Sequence, residues 1–185
     1  MSYSTHTEIE TFSNSFGKNI TPDNEAERLE CLRSFEILNS EPEKMFDLIA
    51  KMTAKVFNVP IALISFVDEN QVFFKSNVGM EGTKHVDRGI SLCSLAILDS
   101  EQVVFESPLK EPCLMANPLV QGKFGLRFYA GAPLTTLDGF NIGTVCILDK
   151  KARFFNKEQI ELLKDFASLI MENLYLRKEL LKSGS

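Results

Sequence analysis

Two neighbouring segments decide the fold: RFYAGAPL at residues 127–134 and DGFNIGTVCILD at residues 138–149. Each contains an apolar run of strand length, and the dipeptide Asp138-Gly139 lies between the two runs. Apolar runs that flank an Asp-Gly pair are typical of a β-hairpin. This region therefore predicts two antiparallel strands joined by a short turn.

The two faces of this hairpin differ in chemistry. Alternation gives one face of the first strand an apolar set that suits packing against helices: Phe128, Ala130, Ala132 and Leu134. We expect Arg127 and Tyr129 to face a cavity on the other side and orient a polar ligand there, and Gly131 to let that ligand approach the backbone. A surface salt bridge is the alternative role of Arg127. On the second strand, the polar Thr144 favours the cavity side for its set, which comprises Ile142, Thr144, Cys146 and Leu148.

A second hairpin and two helices precede this region. IALISFV at residues 61–67 and QVFFKS at residues 71–76 flank an Asp-Glu-Asn turn and predict two more antiparallel strands. Thr21-Pro22 predicts the start of a first helix, whose apolar residues recur at three-residue steps: Ala26, Leu29, Leu32, Phe35 and Leu38. Ser40 and Glu43 form a capping-box pattern before a second helix that ends near residues 58–60.

The middle of the chain mixes turns with short elements. We expect a loop over residues 77–89, a short helix from Ser91 to Leu98, and a strand over residues 103–106. Three prolines predict an irregular segment between residues 107 and 122: Pro108, Pro112 and Pro118. The residue pattern alone thus indicates five strands.

The final helix begins with a capping pair, Asn156 and Gln159. One row of its apolar residues can cover the sheet: Ile160, Leu163, Ala167, Ile170 and Leu174. A second row is spaced mostly by seven residues: Leu162, Leu169, Leu176 and Leu180. This spacing predicts contact with the same helix of a second copy of the chain. The alternative is that the first helix covers the row within one chain.

Composition and charge exclude several classes of protein. The chain has 185 residues, about one domain, and a net charge of −5 without a run of like charge. We therefore expect neither a nucleic acid nor a membrane partner. The N-terminus has no signal-peptide pattern, which predicts a cytoplasmic protein. The four cysteines lie far apart and only two histidines occur, so no disulfide framework, metal site or cofactor is predicted.

Helices at both ends of a set of antiparallel strands indicate an α+β fold. Five segments, in this order, resemble the GAF domain family, in particular the branch of bacterial sensor kinases and cyclic-dinucleotide enzymes: QVFFKSNVGM, SLCSLAI, NPLVQG, RFYAGAPL and DGFNIGTVCILD. The resemblance covers residues 24–177. It implies a six-stranded antiparallel sheet with the N- and C-terminal helices on one face and a small-molecule cavity on the other. We expect residues 1–20 to form a flexible arm and residues 21–181 to form a single GAF domain.

The resemblance also points to candidate site residues. Cys93 lies where this branch carries a cysteine in the short helix that roofs the cavity. A helix N-terminus lowers the pKa of a thiol, so Cys93 is the strongest candidate for a reactive group, with a buried inert thiol as the alternative. Ser91 and Ser94 beside it can receive an anion. The predicted ligand-binding set is Phe66, Phe74, Ser91, Cys93, Ser94, Arg127, Tyr129, Thr144 and Cys146.

The chain departs from its relatives at informative positions. Ser107 and Cys113 stand where this branch usually has an Asp and an Arg that brace the cavity. The signature of cyclic GMP-binding relatives is absent. Bilin-binding relatives use a Cys-His pair on the short helix, whereas Cys93 is followed by Ser94. Neither cyclic GMP nor a covalently attached bilin is therefore expected.

Three functions follow from the resemblance. The first is a small-molecule-sensing regulatory module, which dimerises through its terminal helices and passes a ligand signal to a separate signalling protein or to the rest of a longer chain. The second is a dimerisation scaffold whose cavity is filled by Phe and Leu side chains. The third is an enzyme similar to the free methionine-(R)-sulfoxide reductases, with Cys93 and Cys113 as attacking and resolving thiols.

Overall fold

The computed structural model describes residues 13–184, which contain five α-helices and six β-strands. The helices are α1 (Glu25–Arg33), α2 (Lys44–Phe57), α3 (Cys93–Ala96), α4 (Pro118–Gln121) and α5 (Lys157–Ser183). The strands are β1 (Ile61–Val67), β2 (Gln71–Val78), β3 (His85–Asp87), β4 (Val103–Phe105), β5 (Phe128–Thr135) and β6 (Asn141–Asp149).

The six strands form one antiparallel sheet in the order β3-β2-β1-β6-β5-β4. The two predicted hairpins are β1–β2 and β5–β6, and they meet where β1 pairs with β6. The additional strand, β3, lies within the stretch predicted as a loop and pairs with β2. Three residues are too few to show a period-two pattern, so the residue pattern missed this strand.

Two helices cover one face of the sheet, as predicted. α2 packs on β1 and β2, and α5 packs on β5 and β6. α2 ends at Asn58, which adopts the left-handed conformation, and α5 begins with the predicted capping box of Asn156 and Gln159. Inward side chains of both helices join one hydrophobic core: Phe46, Ile49, Ala50, Phe57, Leu163, Ala167, Ile170 and Leu174. Among the helices of residues 13–184, none has the length and apolarity required to cross a membrane.

The first helix is shorter than its apolar row predicts. The row extends to Leu38, but α1 ends at Arg33. Glu36 and Asn39 have φ of 50° and 56°, a left-handed backbone that a right-handed helix cannot contain. Ala26, at the start of the row, is exposed. The last residues of the row, Phe35 and Leu38, therefore lie in a turn rather than in a helix.

The predicted capping box at the start of α2 is wrong. Ser40 and Glu43 both bind the ammonium group of Lys75, whose Nζ lies 2.8 Å from Ser40 Oγ and 2.8 Å from Glu43 Oε1. Glu43 is the N-terminal flanking residue of α2, but its side chain makes no capping hydrogen bond. Because Lys75 is buried, its charge needs these acceptors, and a tertiary contact replaces the local one.

Short elements form a roof over the opposite face of the sheet. The roof consists of α3, α4 and two 3₁₀ turns, Pro108–Lys110 and Pro112–Leu114. Each of the three prolines occupies one of the first positions of a helical turn, where its missing N–H costs no hydrogen bond. The segment predicted as irregular is therefore a series of single turns.

Residues 1–12, the larger part of the predicted arm, lie outside the described residues. In the remaining part, residues 13–20, two side chains are packed against the domain. Phe16 and Ile20 are buried in the core beneath the roof. The backbone N–H and the hydroxyl of Ser15 both donate to the carbonyl of Gly89, each over 2.9 Å. These contacts attach residues 13–20 to the rest of the domain.

Candidate functional site

β5 turns its two faces as the alternation predicts. Phe128 and Leu134 pack in the core between sheet and helices. Tyr129 lies in a second core, between the sheet and the roof. The aromatic ring therefore points away from the terminal helices, towards the face on which a cavity was expected.

β6 follows its predicted pattern except at one position. Cys146 and Leu148 belong to the core beneath the roof. Ile142 was assigned to the same face but packs in the helix-side core. The β5–β6 register shifts between Leu134 and Thr135, so an extra residue on β6 reverses the facing of Ile142.

A cavity of about 30 Å³ lies between the sheet and the roof. This volume is about the share of one water molecule in the liquid. Its lining is almost entirely apolar: Leu63, Phe74, Met80, Val86, Ser91, Leu92, Cys93, Leu119, Phe124, Tyr129, Cys146 and Leu148. The expected cavity is therefore present, but apolar side chains fill most of the space between the two layers.

Two thiols and several hydroxyl groups meet at the floor of this cavity. The Sγ atoms of Cys93 and Cys146 lie 3.8 Å apart. Ser65 Oγ and Tyr129 Oη lie 3.3 Å and 3.6 Å from Cys93 Sγ, and each can donate to it. Thr144 Oγ1 lies 2.8 Å from Ser65 Oγ and continues the hydrogen-bonded cluster along the sheet. α3 supplies Cys93, and the strands supply the other four groups.

The cluster shifts the pKa values of the two thiols in opposite directions. A hydrogen bond from Cys146, with further ones from Ser65 and other hydroxyls, lowers the pKa of the Cys93 thiol, although burial opposes this effect. Burial raises the pKa of Cys146, and its bond to Cys93 adds to the increase. Burial also raises the pKa of Tyr129, which stays a neutral donor. Of the two thiols, Cys93 is thus the one whose surroundings favour the thiolate.

Five of the nine predicted ligand-binding residues line the cavity: Phe74, Ser91, Cys93, Tyr129 and Cys146. Three others are buried elsewhere. Phe66 packs in the helix-side core, because alternation along β1 turns it away from the roof. Ser94 donates its hydroxyl to the carbonyl of Arg88, and Thr144 lies below the lining beside Ser65. These three positions are corrections to the predicted set.

Arg127 does not line the cavity, and it forms no salt bridge with any residue in the described range 13–184. Its Nη1 donates to the carbonyls of Val120 and Leu126, over 2.9 Å and 2.8 Å. The guanidinium therefore holds the end of α4 against the start of β5. Cys113, the second thiol of the enzyme hypothesis, lies in a 3₁₀ turn of the roof and does not line the cavity.

Seven lining residues are absent from the predicted ligand-binding set. Alternation placed Leu148 on the cavity side, as the structure has it, and the same pattern on β1 could have identified Leu63. Met80 and Phe124 come from segments without regular structure, where no periodic pattern exists. Ser65, which contacts Cys93, was hidden within an apolar run. Within residues 13–184, no three His, Cys, Asp or Glu side chains converge as ligands of a metal ion.

A six-stranded antiparallel sheet, with terminal helices on one face and a roofed cavity on the other, defines an α+β domain. The sequence matches the GAF domain family over residues 41–174. The chain belongs to this family, in agreement with the resemblance seen in its motifs.

Several relatives share this fold. The chain is 31% identical over 155 residues to a cyclic di-GMP phosphodiesterase from Pseudomonas aeruginosa; the match covers 83% of this chain and 26% of that protein. The chain thus spans about a quarter of this relative. A free methionine-R-sulfoxide reductase from Neisseria meningitidis superposes with a TM-score of 0.62 and 15% identity, over 86% and 95% of the two chains. A GAF domain from an Acinetobacter phosphoenolpyruvate-protein phosphotransferase gives 0.61 and 15%, over 84% and 95%. At these identities the two structures show a common fold.

Proposed function

We propose that the chain is a regulatory GAF module that pairs with a second copy through α2 and α5. Changes in the conformation of the region beneath the roof would be transmitted through these helices to an output domain or protein. Its relation to about a quarter of a phosphodiesterase supports a regulatory role beside an output enzyme. The output would lie in a longer chain or in a separate signalling protein. The observation that carries the proposal is a pair of exposed apolar rows on adjacent helices.

The first row is the predicted one on α5, whose four leucines are 38–71% exposed: Leu162, Leu169, Leu176 and Leu180. α1 does not cover it. The second row lies on α2 and is 45–51% exposed: Met45, Leu48, Met52 and Val56. The two helices are neighbours, because Phe57 contacts Phe166 and Glu43 binds Arg177. Two adjacent rows of large apolar side chains favour a protein partner over solvent.

Charge suggests that this partner is a second copy of the chain. At 3.6 residues per turn, an acidic row follows the leucines of α5: Glu158, Asp165, Glu172 and Glu179. A basic row follows the apolar residues of α2: Lys44, Lys51 and Lys55. All seven side chains are exposed. One chain therefore presents both halves of a complementary pair, as a self-complementary interface requires.

The positions of these rows favour one orientation of the two copies. The acidic row lies on the side of α5 opposite Phe166 and Arg177, which contact α2. The basic row shares a side of α2 with Asp47, which bonds to Ser76 of β2, away from α5. The rows thus mark opposite edges of the surface. A twofold axis parallel to the helices brings each acidic edge over a basic edge, whereas an axis across the helices pairs like charges. The first axis also places both α5 C-termini at the same end of the dimer.

The size of the cavity distinguishes the regulatory alternatives. Sites for small-molecule ligands typically measure about 300–1,000 Å³. The cavity of about 30 Å³ is at least tenfold smaller, and Phe74 and Phe124 contribute to its closure. This supports the dimerisation scaffold with a filled cavity over a module that holds a nucleotide in this conformation.

Sedimentation of a leucine variant tests the dimer. Leu169→Glu places a charge in the centre of the α5 row, and we expect the mass to fall from that of a dimer to that of a monomer. Ser168→Glu is the matched control, since it adds the same charge at the adjacent exposed position outside the row. A monomeric parent chain, or a Leu169→Glu variant that remains dimeric, would contradict the proposal.

Ligand sensing is the second candidate, and one observation favours it. The roof consists of single helical turns rather than strands of the sheet, so it can separate from the sheet at lower cost. A thermal-shift screen against purines, cyclic nucleotides, amino acids and haem tests this function. Stabilisation by a compound that Tyr129→Ala abolishes would support it, and no shift with any compound would count against it.

A further inference from the structure

The two buried thiols on the cavity floor have no role in the dimer proposed above. Cys93 lies in the roof and Cys146 in a central strand, 53 residues further along the chain, yet their Sγ atoms are 3.8 Å apart. We propose that this pair is an oxidation site, at which hydrogen peroxide converts two thiols into a Cys93–Cys146 disulfide.

The geometry requires only a small movement. A disulfide has an S–S bond of about 2.05 Å, so the sulfur atoms must approach by a little under 2 Å. Cys146 is held in the sheet, opposite Leu63 of β1 and Gly131 of β5. Cys93 begins a helix of a single turn. The approach is therefore expected from α3, which no strand pairing holds in place.

The surroundings assign different roles to the two sulfurs. Ser65 and Tyr129 both direct hydroxyl groups at Cys93 Sγ, which stabilises its thiolate. The thiolate is the form that attacks a peroxide. Cys146 Sγ lies 3.8 Å from Cys93 Sγ, close enough to act as the resolving thiol. Cys93 is therefore the attacking group and Cys146 the resolving group.

The cavity limits which oxidant reaches the pair. Both cysteines line it, and its volume of about 30 Å³ corresponds to one water-sized molecule. Cys93 is 3% exposed and Cys146 is fully buried, so a protein disulfide cannot reach either sulfur. Hydrogen peroxide is small enough to enter, whereas a bulky organic hydroperoxide or methionine sulfoxide is not. The small cavity therefore favours hydrogen peroxide over larger oxidants.

The reaction balances with one peroxide for each pair. The Cys93 thiolate attacks one peroxide oxygen, the O–O bond breaks, and the leaving hydroxide takes up a proton to become water. Cys93 is then a sulfenic acid. The sulfur of Cys146 attacks it, the S–O bond breaks, and the departing oxygen leaves as a second water with the Cys146 proton. Two thiols have lost two electrons to one peroxide.

Mass spectrometry of the native 185-residue chain tests the proposal. With hydrogen peroxide we expect a loss of about 2 Da, and peptide mapping should place the bond between Cys93 and Cys146. Cys113→Ser and Cys31→Ser are matched controls that should form the same bond. Cys146→Ser should stop at a sulfenic acid on Cys93, a gain of about 16 Da that dimedone traps. Because the parent chain alone reports the disulfide, the test does not depend on how the variants fold.

Several results would overturn the proposal. One is a chain that gains oxygen on Cys93 without forming a disulfide, because Cys146 would then not act as a resolving thiol. Another is a disulfide that contains Cys113. Because the cavity is small, cumene hydroperoxide should react at least about tenfold more slowly than hydrogen peroxide, and equal rates would contradict the role of cavity size. None of these outcomes depends on the dimer, which sedimentation measures separately.

Discussion

The ring of Tyr129 lies along its own strand over Gly131, so that its hydroxyl occupies the space that a Cβ at position 131 would take. The sequence suggested that this glycine lets a ligand approach the backbone. The structure shows that Tyr129 itself uses the space, which brings its hydroxyl to Cys93. The glycine therefore positions the tyrosine.

Gly131→Ala should consequently destabilise the domain by about 1–3 kcal/mol, because the added methyl group forces the ring out of a packed core. Urea unfolding measures this change. In a Tyr129→Leu background the same substitution should cost far less, since the clashing atoms are gone. An equal cost in both backgrounds would show that the strain has another origin.

Glu25 should make stability depend on pH. Its carboxylate accepts hydrogen bonds from the buried side chains of Arg28 and Arg88. Burial raises the pKa of Glu25, but the two arginines lower it by a larger amount, so the net shift is downward. Its contribution is complete above the ordinary value of 4.5 and is lost as the pH falls through the lower folded-state pKa.

Glu25→Gln should therefore lower the free energy of unfolding at pH 7 by about 3 kcal/mol, because two buried cations lose their counter-ion. It should also flatten the decline in stability below pH 4.5. Urea unfolding between pH 3 and pH 7 gives both quantities, in roughly half-unit steps. Glu27→Gln, at an exposed position of the same helix, is the control. Parallel pH curves for the parent chain and Glu25→Gln would contradict this account.

Arg127 should hold the roof. Removing its two hydrogen bonds with Arg127→Met is expected to raise amide exchange in residues 118–126 by about 30-fold, since the two bonds together contribute about 2 kcal/mol. Exchange in β1 and β6 should not change. Arg33→Met, at an exposed arginine, serves as the comparison. Unaltered exchange near α4 would show that the guanidinium is dispensable for the roof.

Charge reversal should report the orientation of the dimer. Asp165→Lys with Glu172→Lys turns part of the acidic row basic, and the dissociation constant should rise by about tenfold. Adding Lys51→Glu and Lys55→Glu should restore affinity, because an axis parallel to the helices places the two rows together. Sedimentation at low salt measures both steps. If the quadruple variant dimerises no better than the double variant, the acidic and basic rows do not meet in the dimer.

Much of the fold could be predicted from local pattern. The hairpins, the capping box of α5 and the exposed leucine row all depend on spacings of two, three, four or seven residues, and such spacings are visible in the sequence. The failures have two causes. β3 and the roof turns are too short to show a period. Ser40 and Glu43 bind a buried lysine 32 or more residues away instead of forming the local capping bonds.

The sequence alone determined which face of β5 carries Tyr129, because alternation is a property of every extended backbone. It also determined that α5 carries a second apolar row. Tertiary structure alone decided that Cys93 meets Cys146 rather than Cys113, that Arg127 binds carbonyls, and that the cavity is almost closed. These outcomes depend on how the roof packs against the sheet, and contacts between segments distant in the chain leave no periodic trace in the sequence.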